Sequence, residues 1–89
     1  MTRPDRESHA VEQTRVVVYT KPGCHLCDDA CSAVARIASD VGVKWAALDI
    51  TGDDALMQQW AEYVPVIVVD GQVHDWFRVR EDRLRAALG

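Results

Sequence analysis

Residues 16–27 read Val-Val-Val-Tyr-Thr-Lys-Pro-Gly-Cys-His-Leu-Cys. A β-branched apolar run breaks at a Lys-Pro-Gly turn and delivers Cys24 and Cys27, with two residues between them, to the start of an amphipathic helical pattern. That placement has chemical content. A helix start carries unpaired backbone N–H groups and the positive end of the peptide dipoles, so a thiolate there is stabilised and the thiol ionises more readily. The second cysteine, one turn later, lies within reach of the first. In a chain with a βαβ pattern, such a pair points to thiol–disulfide exchange.

Working outward, the run from Arg15 to Thr20 suits a strand buried on both faces, and Pro22 and Gly23 end it. From Cys24 onward Leu26, Cys27, Ala30, Cys31, Ala33, Val34, Ile37, Ala38 and Val41 share one helical face, opposite Asp28, Asp29, Ser32, Arg36, Ser39 and Asp40. Gly42 is the stop, and Val43 to Ile50 reads as a second strand, joined to the first by a right-handed crossover. Asp53 or Asp54 caps a second helix running to about Tyr63, with Leu56, Trp60 and Tyr63 inward. Val64-Pro65 breaks it. Residues 65–69 form a third strand, Asp70-Gly71 a two-residue hairpin turn, and Gln72 to about Trp76 a fourth strand. A last helix runs from about Arg80 to Leu88, with Leu84, Ala87 and Leu88 inward. Trp45 and Trp60 are assigned to the core. The order is β-α-β-α-β-β-α.

Eighty-nine residues make one domain. Residues 1–14 mix charges with Pro4, Ser8 and His9 and show no sustained period, so they read as a flexible N-terminal tail, with His9 solvated, ahead of a domain over 15–89. The net charge is −4, and the one basic concentration, Arg78, Arg80, Arg83 and Arg85, is interrupted by Asp75, Glu81 and Asp82. That is the pattern of a solvated helix face, and no nucleic-acid partner is expected. Three cysteines are too few and odd in number for the disulfide framework of a secreted miniprotein. The N-terminus has no apolar signal segment, and no run spans a membrane. The expected compartment is therefore the reducing cytoplasm, where a close cysteine pair is catalytic or metal-binding more often than structural.

With this element order and the Cys24-Cys27 pair after the first strand, residues 15–89 resemble the thioredoxin fold in its small glutaredoxin-like form. Residues 22–29, Pro-Gly-Cys-His-Leu-Cys followed by two aspartates, match the short glutaredoxin-like proteins. Val-Tyr-Thr-Lys-Pro, residues 18–22, together with an aromatic-rich stretch before the last helix, is similar to the redoxins that reduce ribonucleotide reductase. The resemblance implies an α/β domain with a four-stranded mixed sheet and helices on both faces. It also implies that Val64-Pro65 is the other half of the site, its proline cis and facing the cysteines. One departure matters: glutathione-using glutaredoxins carry Gly-Gly and an acidic residue after the last strand, where residues 74–78 here read His-Asp-Trp-Phe-Arg. The implied electron source is thus a reductase or another thiol rather than glutathione held in a dedicated groove.

The expected chemistry makes Cys24 the nucleophile and Cys27 the resolving thiol of a dithiol–disulfide oxidoreductase acting on a disulfide-containing protein or small-thiol substrate, with no cofactor. Cysteines at helix starts have pKa values of about 3.5–7.5, while Cys27, deeper in the first turn, stays a thiol until attack. Lys21 and His25 flank the pair as candidate substrate-site residues, each able to favour the thiolate when charged, and equally able to be merely solvated. Val64 and Pro65 complete the set by offering backbone to an extended substrate strand. Cys31, one turn after Cys27, reads as a small buried hydrophobe, and His74 and Trp76 either flank the site through the family alignment or pack against strands. Two other classes compete. Cys24, His25 and Cys27 could begin a zinc or iron–sulfur site, although no second Cys-x-x-Cys or His pair stands at ligand spacing. A binding module with a vestigial pair is the other, weakened by both cysteines being present beside Pro65.

Overall fold

The computed structural model describes residues 14–89. The expected tail lies outside them except for Thr14, which already belongs to the first strand, and His9 is not among the described residues. In chain order the elements are β1 (Thr14–Thr20), α1 (His25–Val41), β2 (Lys44–Asp49), a 3-10 turn (Ile50–Gly52), α2 (Asp54–Trp60), β3 (Val66–Val69), β4 (Gln72–Trp76) and α3 (Glu81–Leu88). The strands stand in the order β2-β1-β3-β4, with β1 parallel to β2 and the other two pairings antiparallel. This is the mixed four-stranded α/β sheet expected.

The central position of β1 explains its unbroken apolar run. Side chains alternate across a strand, so Val16 and Val18 face one way and Val17 and Tyr19 the other. The register sets Val16 opposite Val69 and Val18 opposite Ile67. These four join Ala30, Val34 and Ile37 of α1 and Leu84 and Leu88 of α3 in a single buried cluster. The opposite face is thinner. Val66 and Val68 are buried there, but Leu48, Val73 and Trp76, which share that face by register, remain exposed, and no residue of α2 is buried.

Several side chains depart from expectation for geometric reasons. The apolar stripe of α1 is wider than its contact with the sheet: Cys27, Ala30, Val34, Ile37 and Ala38 are buried, while Leu26 is 50% exposed and Val41 is exposed. Leu26, Ala30 and Ala33, spaced i, i+4 and i+7, form one flank of that stripe. Helix α2 ends at Trp60 rather than near Tyr63, and Tyr63 is exposed. The Tyr63 N–H turns back to the Trp60 carbonyl at 2.9 Å, and Val64, preceding proline, is disfavoured from helical backbone. Trp45 is half-buried against the core cluster, but Trp60 is half-buried outside it, set edge-on to Tyr63 with ring centroids 6.0 Å apart.

Turn chemistry follows the sequence closely. Gly42 takes φ 87° and its N–H caps the Ala38 carbonyl at 2.8 Å, a left-handed C-cap that disfavours any side chain. Asp53, of the two candidates, is the N-cap of α2, its carboxylate accepting from the Leu56 N–H. Asp70 and Gly71 have φ 52° and 83°, the pair of positive values of a type I′ hairpin. Arg15 fixes that hairpin: its guanidinium donates to both Asp70 carboxylate oxygens at 2.9 and 2.8 Å and to the Leu88 carbonyl at 3.2 Å. Hydrogen bonding from Arg15 holds the Asp70 carboxyl below its usual range. Since a lowered pKa stabilises the fold above the unfolded value and the effect is lost as pH falls through the folded one, this clamp weakens in acid.

Candidate redox site

The turn after β1 places Cys24 as the N-cap of α1 rather than as its first residue. Its backbone is extended, with φ −106° and ψ 106°, and its sulfur accepts the Cys27 N–H at 3.1 Å. This is the capping hydrogen bond that Ser, Thr, Asp or Asn usually supplies, here made by a sulfur at the positive end of the helix. Cys24, Cys27 and Cys31 are all free thiols. Cys24 is half-buried, while Cys27 is 2% exposed.

Burial pushes the Cys27 thiol up to about 12, and its hydrogen bond with Cys24 adds to the shift. Hydrogen bonding from the Lys21 backbone opposes it. The Lys21 main chain thus acts on Cys27, the second cysteine of the pair. His25 occupies the first helical position and is exposed. Two outcomes follow. Below pH 9 iodoacetamide should label Cys24 and leave Cys27 unmodified in the folded protein, as read by peptide mass spectrometry. A raised folded pKa stabilises the fold below the unfolded value of 9.0, and the benefit is lost as pH rises towards about 12. Over that window the urea midpoint of Cys27→Ala should fall less than that of the unsubstituted protein.

Val64-Pro65 is a cis peptide bond, with Pro65 buried and Val64 half-buried. The pairing of Tyr19 with Val66 sets Pro65 beside the end of β1, from which residues 21–24 run to the helix. The Pro65 carbonyl already accepts the Phe77 N–H at 2.8 Å, so the backbone there is not wholly open to an added strand. Trp76, paired with Val66, is exposed at the same end of the sheet. His74 is not. It is the extra residue of an irregularity in the β3–β4 pairing and lines a cavity of 360 Å³ at the hairpin end, with Val69, Asp70, Gln72, Val73 and Ala87.

Cys31 is half-buried against the core cluster. Burial raises its pKa first, followed by the charge of Asp28 and then Cys24. It behaves as the small hydrophobe that its spacing suggests, and Cys31→Ala should leave the rate of disulfide exchange within about twofold while lowering stability by roughly 1 kcal/mol. Among the described residues no group of three or more His, Cys, Asp or Glu is arranged to hold a metal ion. No helix is long and apolar enough to cross a membrane among those residues.

One residue at this end was not legible in the sequence. Phe77 has φ 71°, a left-handed backbone that bulky side chains rarely take and that costs about 1–3 kcal/mol. Its ring stands 6.1 Å from that of Tyr63. The absence of a glycine pair after β4 was visible; that a phenylalanine would carry a conformation suited to glycine was not. Phe77, Arg78 and Val79 form one wall, and Leu26, Asp29, Ala30 and Ala33 of α1 the other, of a groove of 260 Å³.

The comparisons agree with this construction. An uncharacterised protein of Mycobacterium tuberculosis, Rv0508, is 28% identical over 83 residues, covering 88% of this chain and 86% of that protein. The crystal structure of protein XcR50 from X. campestris is 32% identical and superposes with a TM-score of 0.67, covering 82% of this chain and 93% of that one. A thioredoxin from Fasciola hepatica, 22% identical, shares the fold at a TM-score of 0.56 over 96% of this chain and 89% of its own. The family model for the glutaredoxin-like domain (DUF836) matches residues 15–89. The chain is therefore a thioredoxin-fold protein and belongs to that glutaredoxin-like family.

Proposed function

We propose that this protein is a dithiol–disulfide oxidoreductase in which Cys24 is the nucleophile and Cys27 the resolving thiol. The observation that carries the reading is the asymmetry of the pair: Cys24 caps the helix and is partly accessible, while Cys27 is buried and held as a thiol. The Cys24 thiolate attacks one sulfur of a substrate disulfide, the S–S bond breaks, and the departing sulfur leaves as a thiolate that takes up a proton. Cys27 then gives up its proton and attacks the Cys24 sulfur of the mixed disulfide, releasing the second substrate thiol. The substrate gains two electrons and two protons, and Cys24 and Cys27 are left joined. A reductase or small thiol returns the two electrons.

The supporting residues have roles of their own. The Lys21 backbone eases ionisation of Cys27 at resolution, His25 lends positive charge when protonated, and the backbone of Val64, beside Pro65, pairs with an extended substrate segment. Substrates of this class are disulfide-bearing proteins or small thiols, and a reducing compartment such as the cytoplasm suits the cycle. The experiment is a trap. Cys27→Ser should accumulate a stable mixed disulfide through Cys24 when offered an oxidised substrate, detected as a mass increase that dithiothreitol removes. Failure to form any adduct under conditions where the unsubstituted protein consumes that disulfide would overturn the assignment.

A further inference from the structure

We infer that the free edge of β2 is a self-association surface, on which two copies of this chain pair their β2 strands antiparallel about a two-fold axis and join their sheets. β2 stands at one end of the sheet and, among the described residues, is hydrogen-bonded to β1 alone. Backbone N–H and C=O groups along such an edge are a template for another strand. The two edges of this sheet meet that hazard differently. β4 is guarded: its pairing with β3 is irregular between Ile67 and Val68, and Asp75, set beside Ile67, turns a charge inward at 5% exposure. β2 has neither device. Its register with β1 is unbroken from Trp45 to Asp49, its centre reads Trp-Ala-Ala-Leu, and every residue of it but Trp45 is exposed.

The sequence of β2 is complementary to its own reverse. Lys44 opens the strand and Asp49 closes it, and no other charge lies between them. Parallel pairing of two copies brings like charges together, whereas antiparallel pairing sets the lysine end of each against the aspartate end of the other. A two-fold axis perpendicular to the sheet keeps every side chain on its own face, so the residue on the axis meets its own copy. The two central residues, Ala46 and Ala47, are both alanine, and neither has the bulk to hold the edges apart. With Ala46 on the axis, Leu48 lies over the Lys44 stem of the other copy; with Ala47 there, it lies over Ala46. Either way the 43% exposed Leu48 gains cover, and Lys44 stands within one residue of Asp49 across the seam. Since β1 and β2 are parallel, the two cysteine pairs fall at opposite ends of the joined sheet and both remain open. The pairing therefore stands whether or not the redox reading does.

A pair of six-residue strands is a small interface, so the dimer should dissociate at on the order of 100 μM. Sedimentation of the full chain, kept reduced with dithiothreitol so that no disulfide links the copies, should show a mass of 9.9 kDa at low micromolar concentration, rising towards twice that near millimolar. Ala46→Glu and Ala47→Glu, each at an exposed position, set like charges against each other at the axis and should raise the dissociation constant at least about tenfold. Lys44→Glu should raise it about threefold, and circular dichroism should show all three variants folded. Amide hydrogen exchange supplies the second measurement: the peptide spanning residues 44–49 should exchange more slowly in the concentrated protein than in the dilute one. A monomer at every concentration overturns the proposal, as does a dimer that neither glutamate variant weakens. Protection of residues 44–49 that is the same at both concentrations also overturns it, because the edge is then covered from within the chain.

Discussion

Cys24→Ser is expected to abolish disulfide exchange, by at least about a hundredfold, while leaving the fold intact. The two halves of that expectation have separate physical causes. A serine hydroxyl ionises far above neutral pH and does not attack a disulfide sulfur, so the chemistry is lost with the thiolate. Serine is also among the preferred N-cap residues, and its oxygen can accept the Cys27 N–H that the Cys24 sulfur now accepts at 3.1 Å. Stability should therefore stay within about 0.5 kcal/mol, a surface-like change. Reduction of hydroxyethyl disulfide measures the first half and urea unfolding the second. Activity that persists would move the nucleophile elsewhere; activity lost along with the fold would show that the cap, rather than the chemistry, had been removed.

The largest effect on stability is expected at Ile67. Its side chain is 1% exposed and sits on the face of β3 covered by α1 and α3, with Val18 and Asp75 as its cross-strand neighbours. Ile67→Ala removes three carbons from the middle of that cluster and should cost about 2–5 kcal/mol. Against a total of about 5–15 kcal/mol for a domain of this kind, that is a large share. The urea midpoint should fall with little change in slope, since the same surface is exposed on unfolding. Val73→Ala, on β4 where the side chain is exposed, should cost no more than about 0.5 kcal/mol. Equal effects at the two positions would contradict the placement of the core on one face of the sheet.

What could be read in advance was whatever depends on local backbone chemistry and period. The β-branched run of β1, the Gly42 stop, the Asp53 cap and the Asp70-Gly71 hairpin each involve a few adjacent residues whose preferences agree with the fold. The cysteine pair was equally plain because its meaning lies in its spacing and its place at a helix start. Features set by distant partners were less legible. Asp75 is buried at 5% exposure, the sole buried charged residue among those described, and its pattern looks like that of any hairpin aspartate. One of its oxygens accepts the Trp76 N–H at 3.0 Å, and the other stands 3.7 Å from Arg80 Nε, close enough for ion pairing but beyond hydrogen-bond reach. Leu26 and Tyr63 fell on apolar faces by period yet lie in the open, because the sheet beneath is narrower than the helical stripe and α2 stops early.

On the proposed function, the hydrogen bond from the Cys27 N–H to the Cys24 sulfur would tie electron transfer to folding through a closed thermodynamic cycle. A sulfur engaged in a disulfide is a poorer acceptor than a thiolate, so whatever the cap contributes to the reduced fold is diminished in the oxidised one. Taking about 1 kcal/mol for an N-cap and 30 mV for each 1.4 kcal/mol of a two-electron couple, complete loss of this bond on oxidation would shift the reduction potential of the proposed couple by roughly 20 mV. The first turn of α1 is, in that sense, a voltage reference written in backbone geometry: tightening it makes the pair a stronger oxidant, and fraying it makes the pair a stronger reductant.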